Sequence, residues 1–173
     1  GLQMPVEEIT AEVLDYCMGA GRWQARSHKH MTFQDEAFFL KSLDGLFGLP
    51  IDLSGLESLD VSNNSLADLA GIEGTSRKIL PQRQGGFRLV SLRVLKARHN
   101  NLQDFSAVLP TLRELDLGHN HLKCVPPLAG TPSLQVVVLA HNEITGSLSS
   151  LKCLPELRRL DLSANAFDFT PRQ

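Results

Sequence analysis

Along most of the chain the apolar residues recur in one arrangement, with leucine-like side chains at the first, fourth, sixth and eleventh places of a unit and asparagine at the ninth. The unit is written as Leu56, Leu59, Val61, Asn64, Leu66; then Leu92, Leu95, Ala97, Asn100, Leu102; then Leu112, Leu115, Leu117, Asn120, Leu122. It closes with Leu134, Val137, Leu139, Asn142, Ile144 and Leu157, Leu160, Leu162, Asn165, Phe167. Each unit predicts a short strand whose alternate residues enter a shared core, followed by a sharp turn whose backbone groups no neighbouring strand reaches. An asparagine amide both donates and accepts, so Asn64, Asn100, Asn120, Asn142 and Asn165 are expected to form a ladder that satisfies those turns from coil to coil.

The steps between units starting at Leu92, Leu112, Leu134 and Leu157 are 20, 22 and 23 residues, whereas the step from Leu56 to Leu92 is 36. Against a usual unit of about 22, that leaves an excess of about 14 residues. Residues 75–91, with Pro81, Gly85 and Gly86, are accordingly expected to hold an inserted loop. Ahead of the repeats, Val6, Ile9, Val13 and Cys17 fall at spacings of three and four between Pro5 and Gly19, which predicts an amphipathic helix. A second helix is expected from Phe33 to about Gly45, where Thr32 and Asp35 have the spacing of a capping box and Phe33, Ala37, Leu40 and Leu43 make an apolar stripe. Leu40, Leu43, Leu46 and Leu49 also fit the opening of a degenerate first repeat. The expected division is a helical cap with that repeat over residues 1–54, then repeats over 55–173.

This pattern resembles the leucine-rich-repeat superfamily, and its short units resemble the intracellular class of about 22 residues per repeat. The resemblance covers Leu56 to Phe167. It implies an α/β solenoid, a right-handed superhelix with a parallel concave sheet and an N-terminal helical cap, that recognises protein partners on its strand-lined face. Glu143 to Leu148 is also similar to a stretch in acidic nuclear phosphoproteins, whose acidic tail is absent here, and the layout resembles axonemal dynein light chains. The latter likeness suggests association with the cytoskeleton.

Composition narrows the reading. With 17 basic and 19 acidic residues the formal net charge is -2, so there is no global attraction for nucleic acid or an anionic membrane. Cys17, Cys124 and Cys153 are odd in number and lack CxxC spacing, which points to a reducing, cytoplasmic setting. The opening residues have neither the basic start nor the apolar run of a leader, and no stretch has the roughly 20 apolar residues of a membrane span. Met4 is read as the natural start. Because Gln173 follows closely on the fifth unit, the natural protein is expected to continue beyond it.

Residues between the inward leucines should line the concave face in columns. One column is Ser58, Val94, Glu114, Val136, Arg159; the next is Asp60, Lys96, Asp116, Val138, Asp161; a third is Ser62, Arg98, Gly118, Ala140, Ser163. Val94, Val136, Val138 and Ala140 are apolar where solvent is expected, and Glu114, Asp116, Arg159, Asp161, Lys96 and Arg98 frame them, as at an apolar centre with a charged rim. Exposed valines also simply suit strand geometry. A fourth column, Asn63, His99, His119, His141, Ala164, aligns three histidines that suit either a pH-sensitive strip or an ordinary polar turn position. A metal is not expected there, since three in a line is poor tetrahedral geometry and no carboxylate or cysteine joins them.

Arg77, Lys78, Arg83 and Arg88 in the inserted loop, and Arg22, Arg26 and Lys29 beside Trp23, His28 and His30, are basic clusters. Neither has the regularly interleaved aromatics that stack bases, so nucleic acid is not the expected partner. The chain carries no phosphate-cradling glycine loop, nucleophile elbow, zinc-protease helix or set of paired carboxylates. The expectation is a non-enzymatic scaffold with no cofactor, binding another protein and no membrane, its oligomeric state open. The alternative is a regulatory or substrate-targeting module of a larger enzyme or signalling protein.

Overall fold

The computed structural model describes residues 2–25, 27–72 and 89–167. Six three-residue strands, β1 (His30–Thr32), β2 (Ser58–Asp60), β3 (Val94–Lys96), β4 (Glu114–Asp116), β5 (Val136–Val138) and β6 (Arg159–Asp161), form one parallel sheet in sequence order. This is an α/β solenoid. The middle residues Met31, Leu59, Leu95, Leu115, Val137 and Leu160 are in register, so one side of the sheet delivers an unbroken apolar row to the core.

Each repeat strand is entered through a tight turn in which the first-place leucine donates its N–H three residues back: Leu56 to Leu53, Leu112 to Leu109, Leu134 to Thr131. These turns add side chains to the core, with Leu53, Leu109, Leu128 and Leu154 buried. Thr131 is a polar residue in that wall, and its hydroxyl is satisfied by donating to the Leu128 carbonyl.

The asparagines hold the opposite turn. Asn120 accepts from the N–H of Leu102 in the preceding coil at 3.0 Å and donates to the carbonyls of Ala97 at 2.9 Å and Leu117 at 3.0 Å. Asn64, Asn100, Asn142 and Asn165 repeat the scheme, taking the N–H of Leu40, Leu66, Leu122 and Ile144. The geometry explains the ninth place: only a short side chain with both an acceptor and donors can serve two coils from within the turn.

The N-terminal region departs from the expected two helices. Helix α1 (Ala11–Met18) begins only after Thr10, whose hydroxyl accepts from the Val13 N–H, and stops at Gly19, where φ is 88°. Val6 lies before it in an extended bridge to Phe38, so the three-and-four spacing joined a strand-like segment to a helix. A short helix α2 (Arg22–Ala25) follows. The helix expected from Phe33 is absent; an irregular excursion following β1 occupies that stretch, and α3 (Asp44–Gly48) begins only at its end. Phe33, Leu40 and Leu43 are buried as expected of a stripe, but on a coil of the solenoid whose Phe33 carbonyl and Leu40 N–H pair with Asn64. Asp35 takes the turn instead of capping a helix, accepting from the Ala37 N–H. The strand of this first coil is thus at His30–Thr32, ahead of Leu40. Val13, Leu14, Trp23 and Phe33 share one apolar cluster with the repeat leucines.

Candidate binding face

The outward residues of each strand lie in two straight rows. His30, Ser58, Val94, Glu114, Val136 and Arg159 are in register in the first; Thr32, Asp60, Lys96, Asp116, Val138 and Asp161 are in the second. His30 and Thr32 were missing from the columns read along the sequence because their coil lacks the ninth-place asparagine. The only available signal was the isolated apolar pair Met31 and Phe33.

The rows are not uniformly available. Val94, Glu114 and Val136 are half-buried and Arg159 is exposed, whereas Val138 retains 8% of its surface and Ala140 4%. The two valines expected to face solvent therefore differ in exposure. Val138 is on the outward row, in register with Asp116 and Asp161 on the two flanking strands, one strand spacing of about 4.8 Å away, yet it is buried. Val136 remains as the apolar contact in that half of the face.

Several of the rim charges are engaged by the fold. Asp60, Asp116 and Asp161 each accept from the N–H two residues on, at Ser62, Gly118 and Ser163, turning the chain out of its strand. Asp161 also accepts from the Ser163 hydroxyl at 2.6 Å. That hydroxyl, then the Ser163 N–H, holds the Asp161 carboxyl below its ordinary value, with smaller help from Arg159 and His141. Arg98 donates to Asp116 at 3.0 Å, its guanidinium lying over Gly118, where an added Cβ would meet Nη1 at 3.2 Å. Among the described residues Asp161 has no ion-pair partner.

The fourth column turns into a stack of rings. His99, His119 and His141 have φ of 52°, 53° and 57°, the left-handed conformation that histidine tolerates better than most residues. Repeating the same backbone angle in successive coils brings the rings face to face, with centroids 4.0 Å apart for His99 and His119 and 4.1 Å for His119 and His141. The middle imidazole has its pKa lowered, first by burial between its neighbours, then by the potential charges of His99, His141 and Arg98, with Asp116 opposing. Face-to-face stacking does not converge the ring nitrogens on a point, and no group of three metal-ligating side chains occurs among the described residues.

Of the basic clusters, Arg77, Lys78, Arg83 and Arg88 lie outside the described residues, as does Arg26. Trp23 is no stacking platform: it is 2% exposed and its indole N–H donates to Asp15. No helix among the described residues is long and apolar enough to cross a membrane.

Comparison with known proteins gives the same architecture. A family model described as leucine rich repeat matches residues 110–167. Toll-like receptor 2 of Ovis aries is 31% identical over 137 residues, covering 74% of this chain and 18% of the receptor. Toll-like receptor 2 type-2 of Gallus gallus is 38% identical over 78 residues, 44% of this chain and 10% of that receptor. This chain thus spans less than a fifth of the length of these curated relatives. Among solved structures, an internalin (inlF) from Listeria monocytogenes superposes with a TM-score of 0.59 at 22% identity, covering 75% of this chain and 34% of that chain. The plant peptide hormone receptor RGFR1, in complex with RGF2, superposes with a TM-score of 0.59 at 19% identity, covering 94% of this chain and 23% of that chain. These two likenesses concern the fold.

Similarity to a receptor corrects the cytoplasmic, cytoskeleton-associated placing expected from the cysteines and the layout, and points away from the cytoplasm. The cysteine argument failed for a physical reason. The leucine core and asparagine ladder stabilise each coil without a disulfide staple, so three free, exposed cysteines carry no information about the redox compartment.

Proposed function

This chain belongs to the leucine-rich-repeat superfamily, whose members generally act as protein-protein interaction modules, and we propose that it is a non-catalytic recognition module binding a protein through its concave face. The observation that carries the reading is the register of the sheet. Glu114, Val136 and Arg159 are adjacent in one row, a half-buried apolar side chain between two opposite charges. Such a site desolvates an apolar anchor while its rim selects the partner by charge. Val94, Lys96 and Arg98 extend it toward the first coils, and Asp116, Val138 and Asp161 form its second row. The receptor relatives support a secreted or cell-surface protein as the partner class. Residues 1–54 serve in this reading as the closing element of the solenoid, since Val13, Leu14 and Trp23 bury themselves with the repeat leucines.

The test compares the chain with a Val136→Asp, Arg159→Glu variant, each verified as folded by circular dichroism, in binding to arrayed secreted and cell-surface proteins. A partner held by the first and lost by the second is the expected result. Identical partner sets would remove the concave face from consideration.

A further inference from the structure

Because the coils repeat, any side chain can be compared with its counterpart two coils on. Arg98 and Asp116 become Ala140 and Asp161, while His99 and His119 become His141 and Ala164. In the earlier setting the pocket between the two coils is filled from within. The Arg98 guanidinium pairs with Asp116 at 3.0 Å, and the His119 ring covers the face of His99 at 4.0 Å.

In the later setting both fillers are alanine. Asp161 keeps the same turn, accepting from Ser163, and His141 keeps the same left-handed conformation, as does Ala164 with φ of 53°. Among the described residues no guanidinium pairs with this carboxylate and no ring stacks on the outer face of His141. Ser163 stands where Gly118 did, and its N–H and hydroxyl both donate to Oδ1 of Asp161, which leaves Oδ2 as the open acceptor among the described residues.

We propose that this seat, bounded by Ala140, His141, Asp161 and Ala164, receives an arginine side chain of the protein partner. Arginine is the side chain that meets both demands, because its guanidinium is flat enough to continue the ring stack and charged to pair with the open Oδ2 of the carboxylate. A lysine would satisfy only Asp161, and an aromatic ring only His141. The proposal rests on the concave-face reading and adds the chemistry of one anchor.

The probe is N-acetyl-arginine amide titrated into the folded chain above neutral pH, with the Ala140 and Ala164 methyl and His141 ring resonances followed by NMR. N-acetyl-lysine amide and N-acetyl-phenylalanine amide are the comparisons. The expected result is saturable shifts in the millimolar range for the arginine probe alone, weakened about tenfold by Asp161→Asn. The double variant Ala140→Arg, Ala164→His should restore the earlier filling from within and abolish the response while remaining folded. Equal responses to arginine and lysine probes, or none to arginine, would overturn the seat. The two readings fail separately: loss of a partner through Val136→Asp, Arg159→Glu but not through the double variant would discard the seat and leave the face, and the reverse would discard the face as first drawn.

Discussion

The first and last coils of the sheet are opposites. The first, around β1, has no asparagine in its turn and keeps only the fourth and sixth apolar places, as Met31 and Phe33, yet Met31 is 4% exposed and Phe33 fully buried. The last, around β6, carries the full pattern, yet Leu160 keeps 38% of its surface, where Leu115 in an interior coil keeps none. The difference lies in the neighbours. Residues 6–9 run beside 37–41, with the Phe39 N–H donating to Val6 and that of Lys41 to Glu7, so the first coil is covered on both sides. Among the described residues β6, like β1, has a strand on one side only, and no backbone segment pairs beside its coil as residues 6 and 7 do beside the first. The repeat motif thus specifies the path of a coil, and its stability is lent by what stacks against it.

The largest expected contrast follows directly. Met31→Ala and Leu115→Ala should each cost about 2–5 kcal/mol in urea unfolding, while Leu160→Ala should cost about 1 kcal/mol or less because its site is already wet. A Leu160 cost equal to that of Leu115 would mean that the last coil is as well covered as the interior. The asparagines should separate in the same way. Asn120→Ala strands the Leu102 N–H inside the solenoid and takes one of two donors from the carbonyls of Ala97 and Leu117, which keep Asn100 and Asn142, and should cost about 2–3 kcal/mol, against about 1 kcal/mol for Asn165→Ala, where water can replace the amide. Equal losses would show that the ladder acts coil by coil, regardless of cover.

A smaller effect comes from the histidine stack, which belongs to the interior coils. Because the His119 pKa is lowered in the folded chain below its ordinary 6.5, the unfolded chain binds more protons in that interval. The contribution is full above the unfolded value and is lost as pH falls through the folded one. Unfolding midpoints measured from about pH 7 to about pH 5 should fall more steeply for the native chain than for His119→Asn. Asp161 and Asp52, with lowered carboxyl pKa values, give up their contribution only below the ordinary carboxylate range. The smallest effect should be at Ala164, whose left-handed backbone relaxes in Ala164→Gly; the relief of about 1–2 kcal/mol is mostly offset by the entropy of glycine in the unfolded chain, for a net gain of about 0.5 kcal/mol. A net loss would mean that the Ala164 methyl packs against a neighbour.

Reading the residues in order was enough to locate five coils, the ladder at Asn64 through Asn165 and the alignment of His99, His119 and His141, because all of these are consequences of a period. Contacts within a period are local rules, and a solenoid repeats them without long-range bookkeeping. The first coil escaped because its core residues Phe33, Leu40 and Leu43 fall at intervals a helix would also use, and no asparagine broke the tie. The pairing of Arg98 with Asp116, the burial of Val138 and the filled and empty seats along the fourth column escaped for a different reason. They depend on which side chain of one coil lies beside which of the next, a relation that strand register creates only after the coils have stacked.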